Sequence, residues 1–220
     1  MVSKMEKNAL FSLFIMACFM LIFSGCSKTY YSAMEKVGKH KRDIMVDRVE
    51  NARDSQSAAQ EQFKSALEQF DSIVQLKDTD LKRAYDSLSS EYEKSEDVAE
   101  KVSDRIESVE SVAEALFDEW EDELDQYQSK DLRRASKEQL RNTQSKYKEM
   151  LTSMKKAEES MEPVLRLFKD NVLFLKHNLN AQAIGSLQGE FANLKDEIHN
   201  LLQKMNAAIE SSNSFIADIQ

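Results

Sequence analysis

Between residues 45 and 219 the apolar positions of this chain fall in alternating steps of four and three, the spacing of one stripe along a supercoiled α-helix. Four stretches keep this rhythm. The first is Met45, Val49, Ala52, Gln56, Ala59, Phe63, Ala66, Phe70 and Ile73. The second runs unbroken from Leu81 to Trp120, with Tyr85, Leu88, Tyr92, Val102, Ile106, Val109 and Leu116 among its members. The third, rich in methionine and aromatics, runs from Leu140 through Tyr147, Met150, Met154, Met161 and Phe168 to Leu179. The fourth runs from Ile184 through Leu187, Phe191, Leu194, Ile198, Leu201 and Met205 to Ile219. Val98, Val112, Leu151, Leu165, Leu202 and Ile209 sit beside these seams and widen each stripe beyond what a two-stranded coiled coil buries. The pattern predicts an all-α fold: an elongated antiparallel helical bundle or coiled coil of about four long helices, with more than two helices meeting.

Capping residues in Lys77-Asp78-Thr79-Asp80 place a turn between the first two stretches, and Asn178, Asn180, Gly185 and Gly189 mark the last connection. The junction near Gln128-Ser129-Lys130 holds neither glycine nor proline, so a helix could run straight through it. Charge argues for a turn at residues 126–131. Residues 91–125 carry fifteen acids and three bases, whereas residues 130–156 carry nine bases and three acids. Folding back lays the basic stretch along the acidic one and relieves both self-repulsions. Residues equidistant from position 128, such as Leu116 with Leu140 and Val109 with Tyr147, are then expected to be neighbours. Pro163, inside the third stretch, removes a helical donor and either kinks the helix or opens a new one at its first turn.

The N-terminus has a different texture. Lys4 and Lys7 precede an apolar run over residues 9–23, which ends in Ser24-Gly25-Cys26. Such a run is an export signal, and as a helix of about 22 Å it falls short of the roughly 30 Å hydrocarbon core. Small residues directly before a cysteine resemble the lipobox of bacterial lipoproteins, in which cleavage between Gly25 and Cys26 leaves Cys26 diacylated as the mature N-terminus. Phe23 departs from the leucine usual three residues before that cysteine. Two alternatives share the export reading: a second lipobox ending at Cys18, and an uncleaved N-terminal membrane helix. The organisation expected is a signal peptide at 1–25, a lipid anchor with a basic membrane-proximal segment at 26–48, and the helical bundle over 33–220.

Across 26–48, Lys28, Lys36, Lys39, Lys41, Arg42 and Arg48 face only three acids. Beside a lipid anchor such cations are expected to meet anionic headgroups, at about 1 kcal/mol each near the surface. The remainder of the chain is acidic, with a net charge of −9 and a pI near 5.0, which argues against nucleic acid as a partner. Its 4 glycines and 1 proline suit long helices, and both cysteines lie within the first 26 residues, so no disulfide can tie the helices together.

No catalytic or metal constellation emerges. The chain has no glycine-rich phosphate loop, and His40, His177 and His199 are scattered. Asp196 and His199 share a helical face but have no second such pair to complete a di-iron site. The acids from Asp118 to Glu123 spread around a helix instead of converging on a cation. The reading is of a non-enzyme with no cofactor and no metal.

Thr29-Tyr30-Tyr31-Ser32-Ala33-Met34-Glu35-Lys36-Val37-Gly38, His40-Lys41-Arg42-Asp43-Ile44, Lys77-Asp78-Thr79-Asp80-Leu81 and Leu116-Phe117-Asp118-Glu119-Trp120-Glu121 resemble a bacterial family known only as domain of unknown function 2959. The resemblance spans essentially all of the chain after Cys26. It implies a helical, coiled-coil-rich envelope lipoprotein and brings no activity or ligand with it. Two roles follow as expectations. One is a lipid-anchored structural or adaptor protein facing the periplasm, which holds or spaces a protein partner or a second copy of itself. The other is a bundle that takes up a lipid or other amphiphile beside the methionines of its third helix. Ser27 after the anchor cysteine, where an aspartate would retain the protein at the inner membrane, points to the outer membrane.

Overall fold

The computed structural model describes residues 31, 34, 38–75, 81–178 and 181–219. Gly25, Cys26, Lys28 and Lys36 lie outside them, as does the Lys77–Asp80 turn. Five helices occupy the described chain: α1 Lys41–Val74, α2 Leu81–Leu124, α3 Lys130–Glu159, α4 Met161–His177 and α5 Ala181–Ile219. No strand occurs among the described residues.

α3 and α4 form one rod with a single-residue break at Ser160. Pro163, in the first turn of α4, cannot donate to the preceding turn, and the chain ends α3 instead of kinking within it. Ser160 keeps near-helical angles (φ −80°, ψ −7°), so direction is retained, and its backbone N–H and hydroxyl both bond to the Ala157 carbonyl, at 3.2 and 2.7 Å. Four rods therefore alternate in direction. α1 packs on α2 and α5, and the α3–α4 rod packs on the same two, which closes a ring in sequence order. At 1.5 Å per residue the longest rods are about 65–70 Å.

The four stripes meet on the bundle axis. Every position of the first seam, Met45 to Ile73, is buried, as are the third from Leu140 to Leu175 and the fourth from Leu187 to Ile219, apart from half-buried Tyr147 and Phe191. In the second seam Leu81, Tyr85, Tyr92 and Trp120 are half-buried and the others buried. One aromatic layer draws a ring from each rod. Phe70 of α1 meets Phe168 of α4 edge-on at 6.1 Å and Phe191 of α5 at 5.6 Å, while Tyr92 of α2 meets Phe168 at 6.5 Å.

The middle connection is a turn. α2 ends at Leu124, the Gln126 N–H bonds the Glu123 carbonyl at 3.0 Å, and the Ser129 hydroxyl caps α3 by accepting from the Leu132 N–H at 3.3 Å. Trp120 donates to the Ser136 hydroxyl at 2.9 Å, and the two are equidistant from residue 128 as expected. Farther along, Phe117 meets Tyr147 and Glu110 meets Lys155, contacts centred about four positions later. Long side chains lean towards the N-terminus of their own helix, so on antiparallel rods they lean towards one another and meet past the equidistant line. The last connection is shorter than its glycines suggested: α5 begins at Ala181, so Gly185 and Gly189 lie within its first turns, with open space around them.

Polar residues on the axis bond within their own helix. Ser95, Thr143 and Ser212 donate to the carbonyls four residues before them at 2.7, 3.0 and 2.7 Å. Gln56 does not. Its side chain is fully buried and both amide atoms lack a protein partner. Such a group costs about 1–3 kcal/mol. Gln56→Met is therefore expected to raise the urea unfolding midpoint, by about 1 kcal/mol of stability, whereas Phe168→Ala in the aromatic layer lowers it by about 3–5 kcal/mol. A Gln56→Met protein less stable than the parent would mean that this amide is satisfied by bound water.

Candidate functional site

The chain enters the bundle where α1 begins and the α2–α3 turn closes. Gly38 has φ +84°, a left-handed conformation that side chains resist, and the Lys39 N–H reaches back to the Met34 carbonyl at 3.1 Å. This reverses the chain. Tyr31 is buried, with its hydroxyl 3.3 Å from Ser111 Oγ, whereas Lys41 lies beside Glu119, nearer the turn. Tyr31 therefore stands farther from the turn than Lys41, and the chain doubles back at Gly38 into α1.

The basic residues expected to face a membrane are placed as follows. Lys39 pairs with Asp47 at 2.9 Å. Lys41, its side chain only 10% exposed, pairs with Glu119 at 2.7 Å. The Arg42 guanidinium lies 5.5 Å from the centre of the Trp120 ring, whose N–H is held by Ser136. Arg48 donates to the Ser108 hydroxyl. Lys41, Arg42 and Arg48 fasten α1 to α2, Lys39 bonds to an acid of α1, and Lys41 is too buried to meet a headgroup. Nothing local in the sequence signals this, because the partners of Lys41 and Arg48 lie 78 and 60 positions away.

Beyond the start of α1 the hairpin of α2 and α3 projects. Its turn exposes Tyr127 (41%) and Leu132 (61%), and its α3 side carries Lys130, Arg133, Arg134 and Lys137, all exposed. The far end of the bundle exposes Leu173 (44%) and Phe174 (37%). Among the acids from Asp118 to Glu123, Glu119 turns to Lys41 and Glu121 accepts from Gln144 at 3.1 Å, in different directions. Among the described residues no helix is long and apolar enough to cross a membrane, and no cluster of ligand-type side chains could hold a metal.

The family model for a protein of unknown function, DUF2959, matches residues 30–219, which is nearly all of the described bundle. The chain belongs to the DUF2959 family. No curated protein matches it in sequence. DUF2959 membership brings no activity with it, so chemistry must be argued from the side chains themselves.

Acidic α2 leaves its mark on two tyrosines. Burial, reinforced by Glu110 and Glu114, pushes the Tyr147 hydroxyl well above its ordinary 10.0. Burial and a hydrogen bond to Glu96 raise Tyr92 to about 12. The hydrogen bond to Glu110 likewise raises Lys155.

Two outcomes follow from this end of the molecule. Gly38→Ala meets no atom within 4 Å, so its cost is conformational, about 1–2 kcal/mol; it is expected to free the Tyr31 segment and speed proteolytic cutting ahead of residue 38, and an unchanged cutting rate would contradict the reversal. Because folded-state values raised above the unfolded ones favour the protonated form, stability is complete below about pH 10 and falls as pH rises past it. Tyr147→Phe removes one of these groups, so the alkaline loss measured by urea unfolding between pH 9 and pH 11 should be shallower than in the parent.

Proposed function

We propose that this DUF2959 protein is a lipid-anchored rod of the bacterial cell envelope, acylated at Cys26 and facing the periplasm from the outer membrane, that holds or spaces a protein partner. It has no enzymatic role in this reading. One observation carries it. Among the described residues the exposed large apolar side chains stand at the two ends, Tyr127 and Leu132 at one and Leu173 and Phe174 at the other, while the flanks between are charged. That is the distribution of a spacer that makes its contacts end-on.

The amphiphile-binding alternative receives less support. Met150 and Met154 are fully buried and Met161 is 2% exposed, all packed within the bundle's own core. A methionine-lined channel would need those side chains free to part for a guest.

Metabolic labelling with a radioactive fatty acid tests the anchor: label is expected on the parent and absent from Cys26→Ala, and label persisting in that variant would refute it. Native mass spectrometry of the purified protein tests the interior, where a stoichiometric lipid beyond the acyl chains would instead favour the amphiphile reading.

A further inference from the structure

We propose that the tip of the α2–α3 hairpin is a second membrane contact, seated in the anionic phospholipid headgroup layer of the same membrane that holds the chain's lipid. The proposal rests on Cys26 being the anchor, and three observations carry it.

The first is the tip's composition. Leu132 and Tyr127 stand exposed either side of a turn capped by Ser129, and an exposed leucine and tyrosine at a rod's end are the pair that an interfacial layer accepts. The second is charge. The α3 side of the tip carries Lys130, Arg133, Arg134 and Lys137 against Asp131, whereas the α2 side carries Glu121, Asp122, Glu123 and Asp125, so the cations form one face of the tip. Lys130 and Lys137 have no ion-pair partner among the described residues, and the Arg133–Asp125 and Arg134–Asp131 pairs lie in open water, where such pairs are weak and exchange readily for phosphate.

The third is reach. Tyr31 is fixed beside Ser111, and five peptide steps separate it from Cys26, at most about 17 Å when fully extended. From Ser111 to its last residue, Leu124, α2 advances thirteen positions, about 20 Å. The tether is no longer than the part of the rod below it. An anchored bundle therefore cannot stand on the membrane with its tip hanging free: it plants the tip or lies on its flank. The flank beside the tether exposes Asp104, Glu107, Glu114 and Asp118, which anionic headgroups repel. The α3 face of the tip, with its four cations, is what remains to face the lipid. Of the cations that the sequence assigns to this task, Lys28 and Lys36 lie outside the described residues, while Lys39, Lys41 and Arg42 are occupied by Asp47, Glu119 and Trp120, and the hairpin tip adds cations of its own.

The test uses the full chain reconstituted in vesicles of phosphatidylethanolamine and phosphatidylglycerol, with Cys18→Ser and one nitroxide, attached through Leu132→Cys or Leu173→Cys. At position 132 oxygen is expected to relax the label several-fold more than a water-soluble nickel chelate does, whereas position 173 behaves as in water. Adding Lys130→Glu and Lys137→Glu should abolish that contrast. Water-like accessibility at 132 would overturn the proposal. Shielding from both reagents would overturn it too, since a protein or a second copy would then cover the tip. The acyl mass at Cys26, measured on the same sample, judges the anchor separately, because the depth at 132 is read however the N-terminus is held.

Discussion

Four apolar stripes that can be buried only against one another are the constraint on which this molecule depends. Each stripe is too wide for a two-stranded seam and too long for a compact fold, so no rod can satisfy its own face alone. No disulfide fastens the rods, and Gln56 on the axis even opposes their packing. Stability comes from side chains such as Phe63, Phe70, Phe168 and Leu194, all fully buried on the axis.

Burial of the stripes was legible because helical periodicity is a local property. Steps of four and three between Met45 and Ile73 identify the inward face of α1 without any knowledge of what lies opposite. The middle turn was legible for a different reason. A net −12 followed by a net +6 is a sequence-level asymmetry that only antiparallel pairing relieves, even though few direct pairs, such as Lys155–Glu110, join the two helices. The field of the two stretches, more than any particular bridge, orients the hairpin.

The entrance to the bundle was not legible. Composition places cations after Cys26 but does not say which of them find acids elsewhere in the chain, and Lys41–Glu119 and Arg42 over Trp120 are such long-range meetings. Gly38 could be read as a helix end, yet its reversal of the chain onto α2 depends on where Tyr31 docks. Gly185 and Gly189 misled in the opposite sense: packing of Leu187, Leu194 and the residues after them carries the helix through both glycines despite a propensity cost of about 1 kcal/mol each. Leu132 lies off the seam between charged neighbours, and only the projecting hairpin turns it from an ordinary surface leucine into an end of the rod.

The interruption at Ser160 also has a kinetic meaning. Because Pro163 lacks an N–H and the Ser160 N–H has turned back to Ala157, the ladder of helical hydrogen bonds is discontinuous there, although the buried seam passes from Ala157 to Met161 without a gap. Cooperative fraying propagates along such a ladder and stops where it is cut. The 17 residues of α4, with the turn that follows them, thus form a unit that can open and reclose by itself while α3 keeps its hydrogen bonds, and amide exchange along this rod would fall into two protection classes that meet at one residue.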